Sequence, residues 1–442
     1  MKKIFYVVFV SSGFCVLSLV SRAQQATPDT LLDNASLDAC VQYAIKHYPL
    51  VQQSLLDEQI TDRQIRSKLA DWFPQLNMTA NYQNNFALQS FVVNGLVNRS
   101  GAYNTSTVGF LLSQNIFTRD VLLASRTKDD AMKLARQTTS TNKIDIAVNV
   151  SKAFYDVLLT QKQIEVLDDD IRRLERNLKD TYNQYQGGIV DKTDYKRATI
   201  SLNNSRAQRK TNAEQLKARY AVLLQLMGYQ GKDSIHLQYD STRMAQEIVV
   251  DTMAAIDYTK RIEYQSLMTR KKLQQTNLQY EKWSFLPTLT ANAAYNFNYL
   301  NNQFSKLYNN NLPNSYAGLQ LSFPIFQGTK RTQNIRIAEL QITRMEWDII
   351  ELQNSIRSQY SQALASYKSN LNEYFILKEN RDLAREVYNT IKLQYNSGIK
   401  TYLEVITAET DVRTAESTYS DALYNVLSSK LDVEKALGNI KY

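Results

Sequence analysis

Helix breakers and reactive side chains are scarce in this sequence. Among its 442 residues there are only 12 Gly, 6 Pro, 2 Cys and 2 His. So few Gly and Pro indicate long uninterrupted elements rather than short elements joined by many turns. His47 and His236 belong to no HExxH motif or Cys/His cluster, and no phosphate-binding or dinucleotide-binding glycine motif occurs. The sequence therefore predicts no catalytic residue, no metal site and no cofactor.

Cysteine usage excludes an internal disulfide in the mature chain. Cys15 lies in the amino-terminal apolar stretch, which leaves Cys40 alone. Neither cysteine stands in a convincing lipidation motif, because Phe14 precedes Cys15 and Cys40 lies well beyond the predicted cleavage site. We expect Cys40 to be a free thiol that is buried on a helix.

A long apolar run occurs only at the amino terminus. Lys2 and Lys3 precede an apolar stretch at 4–20, and residues 21–23 (Ser-Arg-Ala) have the pattern of a cleavage site. Residues 1–23 are therefore predicted to be a secretory signal. A retained anchor is the alternative, although about 17 apolar residues are marginal for spanning a membrane. Later segments contain no stretch of about 18 apolar residues, which excludes a helical inner-membrane protein.

The charge is modestly positive and scattered. The chain has 52 Lys and Arg against 43 Asp and Glu, a net charge of +9. These charges are spread through the predicted helices rather than gathered in a patch, so no nucleic-acid partner is expected. The acidic run 168–170 is interpreted as a solvated helix face rather than a metal site.

The sequence is internally duplicated. The run 184–189 (QYQGGI) recurs 210 residues later at 394–399 (QYNSGI), and the pattern Pro-x-Leu at 74–76 recurs at 287–289. Ordered matches of this kind indicate two copies of one structural unit. We therefore predict structural repeats at 24–230 and 231–442.

Each repeat contains a very long helix. No Gly or Pro occurs in 119–186 or in 329–397, and at about 1.5 Å per residue each run reaches roughly 100 Å. Apolar side chains recur at spacings of three and four, as in the series Ile164, Leu167, Ile171, Leu174 and Leu178. This stripe alone is equally typical of a soluble coiled coil. The predicted helices are about 119–186, 192–228, 328–396 and 401–437.

Two pairs of strands distinguish the chain from a soluble coiled coil. From Leu289 to Tyr299 the odd positions are apolar, whereas the even positions are rich in Thr and Asn. Such two-faced segments are typical of outer-membrane strands, with a soluble sandwich as the alternative. Asn-rich loops at about 84–104 and 300–314 are expected to face the cell exterior. The predicted strands are about 75–88, 105–117, 288–300 and 314–326.

Four strands cannot form an open sheet in lipid, because unpaired backbone groups at its edges cost several kcal/mol each. Closure must therefore come from other copies of the chain. Two copies would provide eight strands with an interior filled by side chains, whereas three would provide twelve and a channel, which we prefer.

The chain resembles the TolC-like outer-membrane efflux proteins throughout its mature sequence. The resemblance lies in the duplicated layout, in the turn patterns that start at Tyr185 and Tyr395, and in the opening pattern 37–49, where Cys40 is unusual. It implies a mainly α fold with a membrane β-barrel portion: a homotrimer whose twelve-stranded β-barrel continues into a twelve-helix α-barrel, with an equatorial belt of short elements near 229–250 and the C-terminus. It also implies a passive exit duct in the outer membrane, with lipid around the barrel. The duct would serve a tripartite efflux or type I secretion system, with a membrane-fusion adaptor and an inner-membrane pump of the RND or ABC type as partners.

The resemblance also implies functional residues at the two glycine-containing turns, although plain helix-hairpin turns would give the same pattern. The implied adaptor-docking residues are Gly187, Gly188, Ile189, Gly398 and Ile399. The implied periplasmic gate residues are Thr193, Asp194, Tyr395, Lys400 and Glu404.

Two contacts are expected at this gate: the hydroxyl of Tyr395 donating to Asp194, and Lys400 reaching Thr193. Thr407 occupies an acidic position of the family, so we expect the charged constriction to be either weaker or displaced to Glu404 and Glu409. Solvated helix faces are the alternative interpretation of these charges. The rival function is a periplasmic or secreted helical scaffold that binds partners without forming a pore.

Overall fold

A computed structural model describes residues 33–231, 235–237, 244 and 248–442. The predicted signal at 1–23 and part of the predicted belt at 229–250 lie outside the described residues. Within them, no helix is both long enough and apolar enough to cross a membrane. The described chain is mainly helical, with one four-stranded sheet at the far end of two long helical hairpins.

The two longest helices start where the strands end and run without interruption. α3 contains 68 residues and α6 contains 67. Each packs against the shorter helix that follows it, so α3 with α4 and α6 with α7 form two antiparallel hairpins. The helices of the described chain are α1 (Leu37–His47), α2 (Pro49–Ala70), α3 (Arg119–Gln186), α4 (Lys192–Met227), α5 (Ile262–Lys282), α6 (Lys330–Asn396) and α7 (Tyr402–Leu437).

The hairpin turns have the same backbone conformation in both halves. Gly188 and Gly398 adopt φ angles of 71° and 73°, in the left-handed region that favours glycine. The next residue then donates its N–H back into the helix: Ile189 to the carbonyl of Gln184 at 2.8 Å, and the corresponding bond of the second turn is 2.9 Å. These bonds satisfy carbonyls that the helix end would leave unpaired.

A second pair of glycines ends the return helices and docks them onto the rest of the chain. Gly228 and Gly438 also have left-handed φ angles, of 67° and 74°. A Cβ atom at Gly228 would lie 2.6 Å from the carbonyl oxygen of His47, and one at Gly438 would lie 2.9 Å from that of Lys260. Only glycine therefore permits this approach, and the two halves make it at matching places.

The strands form one antiparallel sheet in the order β2-β5-β7-β8 and two smaller pairings. β3 and β4 form a separate hairpin, and β1 pairs in parallel with β6. The strands are β1 (Asp33–Ala35), β2 (Gln75–Asn84), β3 (Gln89–Val93), β4 (Leu96–Ser100), β5 (Asn104–Phe117), β6 (His236–Leu237), β7 (Thr288–Asn301) and β8 (Asn314–Ser322).

The large sheet joins the two halves of the chain and keeps one apolar face across all four strands. β5 of the first half pairs with β7 of the second. Leu76 faces Leu112 on β5, Leu112 faces Ala293 on β7, and Ala293 faces Ala317 on β8, so apolar side chains form rows on one side. Asn77, Thr79 and Asn292 project from the other side. β2 and β8 are the outer strands, each with one edge unpaired within the described chain.

Two strands are shorter than predicted, and one predicted loop is structured. The first strand ends at Asn84 rather than 88, and the last ends at Ser322 rather than 326, because Pro324 has no N–H to continue the ladder. The segment expected to be a plain loop at 84–104 contains the β3–β4 hairpin. Its turn is Asn94-Gly95, with φ angles of 51° and 78°, a strong hairpin signal that sequence reasoning overlooked.

The main hydrophobic core lies where α1, α3, α4, α6 and α7 meet. Cys40 is fully buried there as a free thiol, as predicted, and burial raises its pKa to about 12. The hydroxyl of Tyr367 donates to the carbonyl of Ile248 at 2.7 Å, and that of Tyr360 donates to the carbonyl of Ala254 at 3.0 Å. These two tyrosines of α6 hold the connecting segment against the helices.

Candidate functional site at the ends of the helical hairpins

The ends of the two helical hairpins lie side by side. The hydroxyl of Tyr395 on α6 donates to Oε1 of Gln184 on α3 at 2.9 Å. Lys392 lies less than one turn before Tyr395, and its Nζ donates at 2.7 Å to Oδ1 of Asn177, which lies about two turns before Gln184. The structure therefore brings the two turns that contain the predicted docking residues together at one end of the folded molecule, far from the large sheet.

Both turns present an apolar side chain beside their glycines. Ile189 is 76% exposed and Ile399 is 72% exposed. A Cβ atom at Gly188 or Gly398 would meet only open space, so nothing within the described chain covers the turns. The two turns therefore present equivalent exposed isoleucines at matching places.

Aromatic rings stiffen the helices immediately behind the turns. Tyr195 lies between Tyr182 and Tyr185, with ring centroids 5.7 Å and 5.0 Å away. Tyr395 and Tyr402 make the corresponding contact in the other hairpin at 5.8 Å. Such ring pairs add about 0.5–1.5 kcal/mol beyond their buried area, which favours a defined position for each turn.

Lys400 and Glu404 belong to the start of α7. Nζ of Lys400 lies 2.6 Å from Oε1 of Glu404, whose other oxygen accepts from the backbone N–H of Thr401 at 2.9 Å and from its hydroxyl at 3.0 Å. The bond from the backbone N–H of Thr401 is one half of a capping box, and in the other half the side chain of Thr401 accepts from the backbone N–H of Glu404. The hydrogen bond from Lys400, followed by those from Thr401, lowers the pKa of Glu404 to about 2.

Neither predicted gate contact is formed within the described chain. The hydroxyl of Tyr395 binds Gln184, which faces it across the two hairpins, and Lys400, in the turn before α7, binds Glu404 in the first turn of that helix. Burial, and then the negative charge of nearby Asp194, raise the pKa of Tyr395. Thr193 is exposed. Its backbone N–H donates at 3.3 Å to the side chain of Asp191, which is the N-cap of α4.

Glu409 does not belong to an exposed constriction, contrary to expectation. Its side chain is buried between helices, with Oε1 lying 3.4 Å from Nε of Arg173 and Oε2 accepting from Asn177 at 3.2 Å. Burial, and then the negative charge of Asp170, raise the pKa of Glu409. The interpretation of 168–170 as a solvated face holds for Asp168 and Asp169, whereas the side chain of Asp170 is only 1% exposed.

Asp170, Arg173, Glu409 and Arg413 form a charge cluster that connects both hairpins, in which the carboxylates are buried and the guanidinium groups are half-buried. Nη2 of Arg173 lies 3.1 Å from Asp170, so this guanidinium bridges the two carboxylates. Nη1 of Arg413 lies 3.4 Å from Asp170 and donates at 2.8 Å to Ser205 of α4, whose hydroxyl also donates to Asp170 at 2.7 Å. The cluster therefore ties α3, α4 and α7 together close to the candidate docking end.

A signal for this cluster was present in the sequence. The buried positions of this part of α3 are Leu167, Asp170, Leu174, Asn177 and Thr181. They are spaced by three and four residues, as the core side of a coiled coil is. The prediction followed Ile171 and Leu178 instead, because both are apolar, and so missed the polar residues that face the core.

We expect Arg173→Met to destabilise the helical hairpins by about 3–5 kcal/mol, because it leaves two buried carboxylates with one fewer cation. Arg172→Met is the matched control: Arg172 pairs with Asp169 on the exposed side, and its loss should cost less than about 1 kcal/mol. Urea unfolding followed by circular dichroism in detergent measures both. Equal effects of the two substitutions would show that the charge cluster is not stabilising.

Because the pKa of Glu404 in the folded chain is lowered from 4.5 to about 2, its ionised form stabilises the start of α7 above pH 4.5. This contribution should disappear as the pH falls through about 2. Hydrogen exchange at the amides of 402–405 should therefore become faster, relative to that of Glu404→Gln, as the pH is lowered across this window. A constant ratio between the two proteins would contradict the role of the capping box.

Comparisons with known proteins agree with this architecture. A family model described as outer membrane efflux protein matches residues 40–229 and 268–439. The outer membrane protein TolC of Escherichia coli strain K12 is 21% identical, over 97% of this chain and 84% of that protein. The alkaline protease secretion protein AprF of Pseudomonas aeruginosa is 22% identical, over 64% of this chain and 60% of that protein.

A solved structure has the same fold. The open state of the MtrE outer membrane channel of Neisseria gonorrhoeae superposes with a TM-score of 0.72 at 16% identity, covering 91% of this chain and 88% of that one. At this identity the likeness concerns the fold alone. Since the family model covers both halves of the chain, including both helical hairpins, the protein belongs to the outer membrane efflux protein family.

Proposed function

We propose that three copies of this chain close into one duct that crosses the outer membrane and conducts substrate passively from a pump and its adaptor to the outside. The protein is an outer-membrane exit duct for an efflux or secretion system. The observation that carries the trimeric proposal is the four-stranded sheet with one apolar face, one polar face and two unpaired edges. The duct is a channel rather than an enzyme.

Closure follows from the chemistry of the sheet edges. Backbone N–H and C=O groups have no partner in the hydrocarbon core, so the free edge of β2 requires the free edge of a β8 from another copy. Two copies provide eight strands, whose interior is filled by side chains. Three provide twelve, with the amide-rich face around an aqueous lumen and the apolar face toward lipid.

The helical part continues the lumen. Each chain contributes α3, α4, α6 and α7, so three chains contribute twelve helices around the same axis. The two longest helices reach roughly 100 Å at 1.5 Å per residue, which is far longer than a bilayer is thick. We assign this part to the periplasm, and we treat 24–230 and 231–442 as structural repeats that follow an export signal at 1–23. The equivalent glycine turns at 188 and 398, and at 228 and 438, support this division.

The hairpin ends are the proposed docking surface for a membrane-fusion adaptor, which links the duct to an inner-membrane pump of the RND or ABC type. Two exposed isoleucines beside the glycine turns support this assignment. Thr193, Asp194, Tyr395, Lys400 and Glu404 lie at the same end and are proposed as gate residues. In a closed duct, they would meet the corresponding residues of neighbouring copies.

Ala293→Lys and Asn292→Lys test the proposed orientation of the sheet. Both residues lie in the middle of β7, and they project from opposite faces. Lysine at 293 should cost about 2–4 kcal/mol because it would face lipid near the bilayer midplane, whereas lysine at 292 should be tolerated in the lumen. Outer-membrane fractions are assayed for heat-modifiable trimers.

The opposite order of the two lysine variants would overturn the orientation. If wild-type protein is instead a water-soluble monomer that needs no detergent and produces no conductance in planar bilayers, the helical scaffold is the correct function.

Ile189→Glu combined with Ile399→Glu tests the docking surface. Burying two carboxylates in an apolar contact is unfavourable, so site-specific crosslinking to the adaptor should fall several-fold and transport should be lost. Ile200→Glu is the control, because Ile200 is also exposed, at 59%, but lies away from the turns. Trimer stability should stay unchanged in both variants. Undiminished crosslinking in the double variant would place the adaptor elsewhere.

A further inference from the structure

The β3–β4 hairpin has an apolar tip that the described chain leaves exposed. Val92, Val97 and Leu96 are 67%, 69% and 70% exposed, and Phe91 and Val93 are both 46% exposed. Val92 pairs with Val97 on one face, while Val93 pairs with Leu96 on the other. The tip is therefore apolar on both sides.

The base of the same hairpin is polar. Gln89 pairs with Ser100, and Ser90 pairs with Arg99. An isolated two-stranded hairpin is marginally stable in water, and an apolar tip on a polar base gains stability only when other surfaces surround its tip.

A polar layer separates this tip from the apolar face of the large sheet. Asn84 donates to Asn104 at 2.8 Å, Asn85 donates to the carbonyl of Ala102 at 2.9 Å, and Asn302 accepts from the N–H of Tyr103 at 3.2 Å. The hairpin lies beyond this layer. Its apolar tip is therefore not a continuation of the lipid-facing band, and the cover that it needs is protein.

The loop that joins β7 to β8 in the second half of the chain packs differently from the β3–β4 hairpin. Leu307 is fully buried there, and the ring of Tyr308 lies 5.1 Å from that of Tyr299 on β7. This loop is thus held against the sheet, whereas the β3–β4 hairpin projects from it. The second loop also exposes Phe304, Tyr308 and Leu312, but it lies along the sheet, and only the first loop forms a projecting hairpin whose tip is apolar on both faces.

The position of the hairpin indicates that other copies of the same chain bury its apolar tip. It directly follows β2, the edge strand that meets the next copy in the proposed trimer, so its tip continues that interface. Its five-residue strands extend roughly 17 Å. Twelve strands that are spaced about 4.8 Å apart and tilted by about 40° close into a ring of about 12 Å radius. Each hairpin is therefore long enough to reach the axis.

We propose that the β3–β4 hairpins of three copies meet over the outer mouth of the duct and bury their apolar tips against one another as a cap. This inference rests on the proposed trimer. The cap closes the external end with apolar contacts. Passage of cargo requires the tips to separate, which exposes Phe91, Val92, Val93, Leu96 and Val97 to water.

Cysteine crosslinking tests the contact between tips. Cys40 is buried and its thiol resists ionisation, so a cysteine introduced by Val93→Cys is the reactive one. Mild oxidation of outer membranes should produce disulfide-linked dimers of the chain. Phe304→Cys is the control, because Phe304 is 62% exposed in the packed loop and should give no dimers. Absence of dimers from Val93→Cys would overturn the cap.

Access to the lumen from outside the cell provides a second measurement. Asn298→Cys, on the polar face of β7, should react slowly with a maleimide carried on a large polyethylene glycol. Adding Val92→Asn and Val97→Asn should make labelling several-fold faster, whereas Ser90→Asn with Ser100→Asn at the base should not.

Equal labelling by the large reagent in all three proteins, with rapid labelling by a small maleimide, would overturn the cap and leave the duct standing. Absence of both trimers and small-reagent labelling would overturn the duct and the cap together.

Discussion

Every backbone polar group of the sheet needs a partner where water is absent, and this requirement governs the architecture. Within one chain, β5 and β7 are satisfied on both sides, while β2 and β8 each keep one open edge. No side-chain arrangement can compensate for a row of unpaired amides in hydrocarbon. In the proposed duct, the open edges of the sheet are therefore paired by other copies of the chain.

The helical part depends on a different kind of contact. In the main hydrophobic core the helices are held by apolar packing, and two glycines admit a carbonyl oxygen at 2.6 Å and 2.9 Å from their Cβ positions. Toward the hairpin ends, polar side chains replace apolar ones on the same helix side, and Arg173 bridges two buried carboxylates. Hydrogen-bonded pairs of this kind are directional, so they specify one relative position of the helices more strictly than apolar packing does.

Periodicity and breaker residues were sufficient to predict the long elements. The absence of Gly and Pro from 119–186 and 329–397 corresponds to two helices with nearly those bounds, and alternation identified the four large strands. The side-chain partners at the hairpin ends were not predictable, because they depend on which residues face each other across helices. Gln184 of α3 accepts the hydrogen bond from the hydroxyl of Tyr395 on α6. The pair of Lys400 with Glu404 is local, since the two residues are four apart, and it occupies the amine that was expected to reach Thr193. The β3–β4 hairpin was missed although Asn94-Gly95 signals it, since the high Asn content of its surroundings favoured a loop.

The two hairpin turns share a backbone conformation but differ in charge. One return helix is capped by Asp191, and the other begins with Thr401 and the ion pair of Lys400 with Glu404. In a ring of three chains, six turns of nearly identical outline would therefore alternate between two chemistries. A partner that engages all six needs two sets of contacting residues, or one set that tolerates both, so the duplication supplies pseudo-sixfold shape while true symmetry stays threefold.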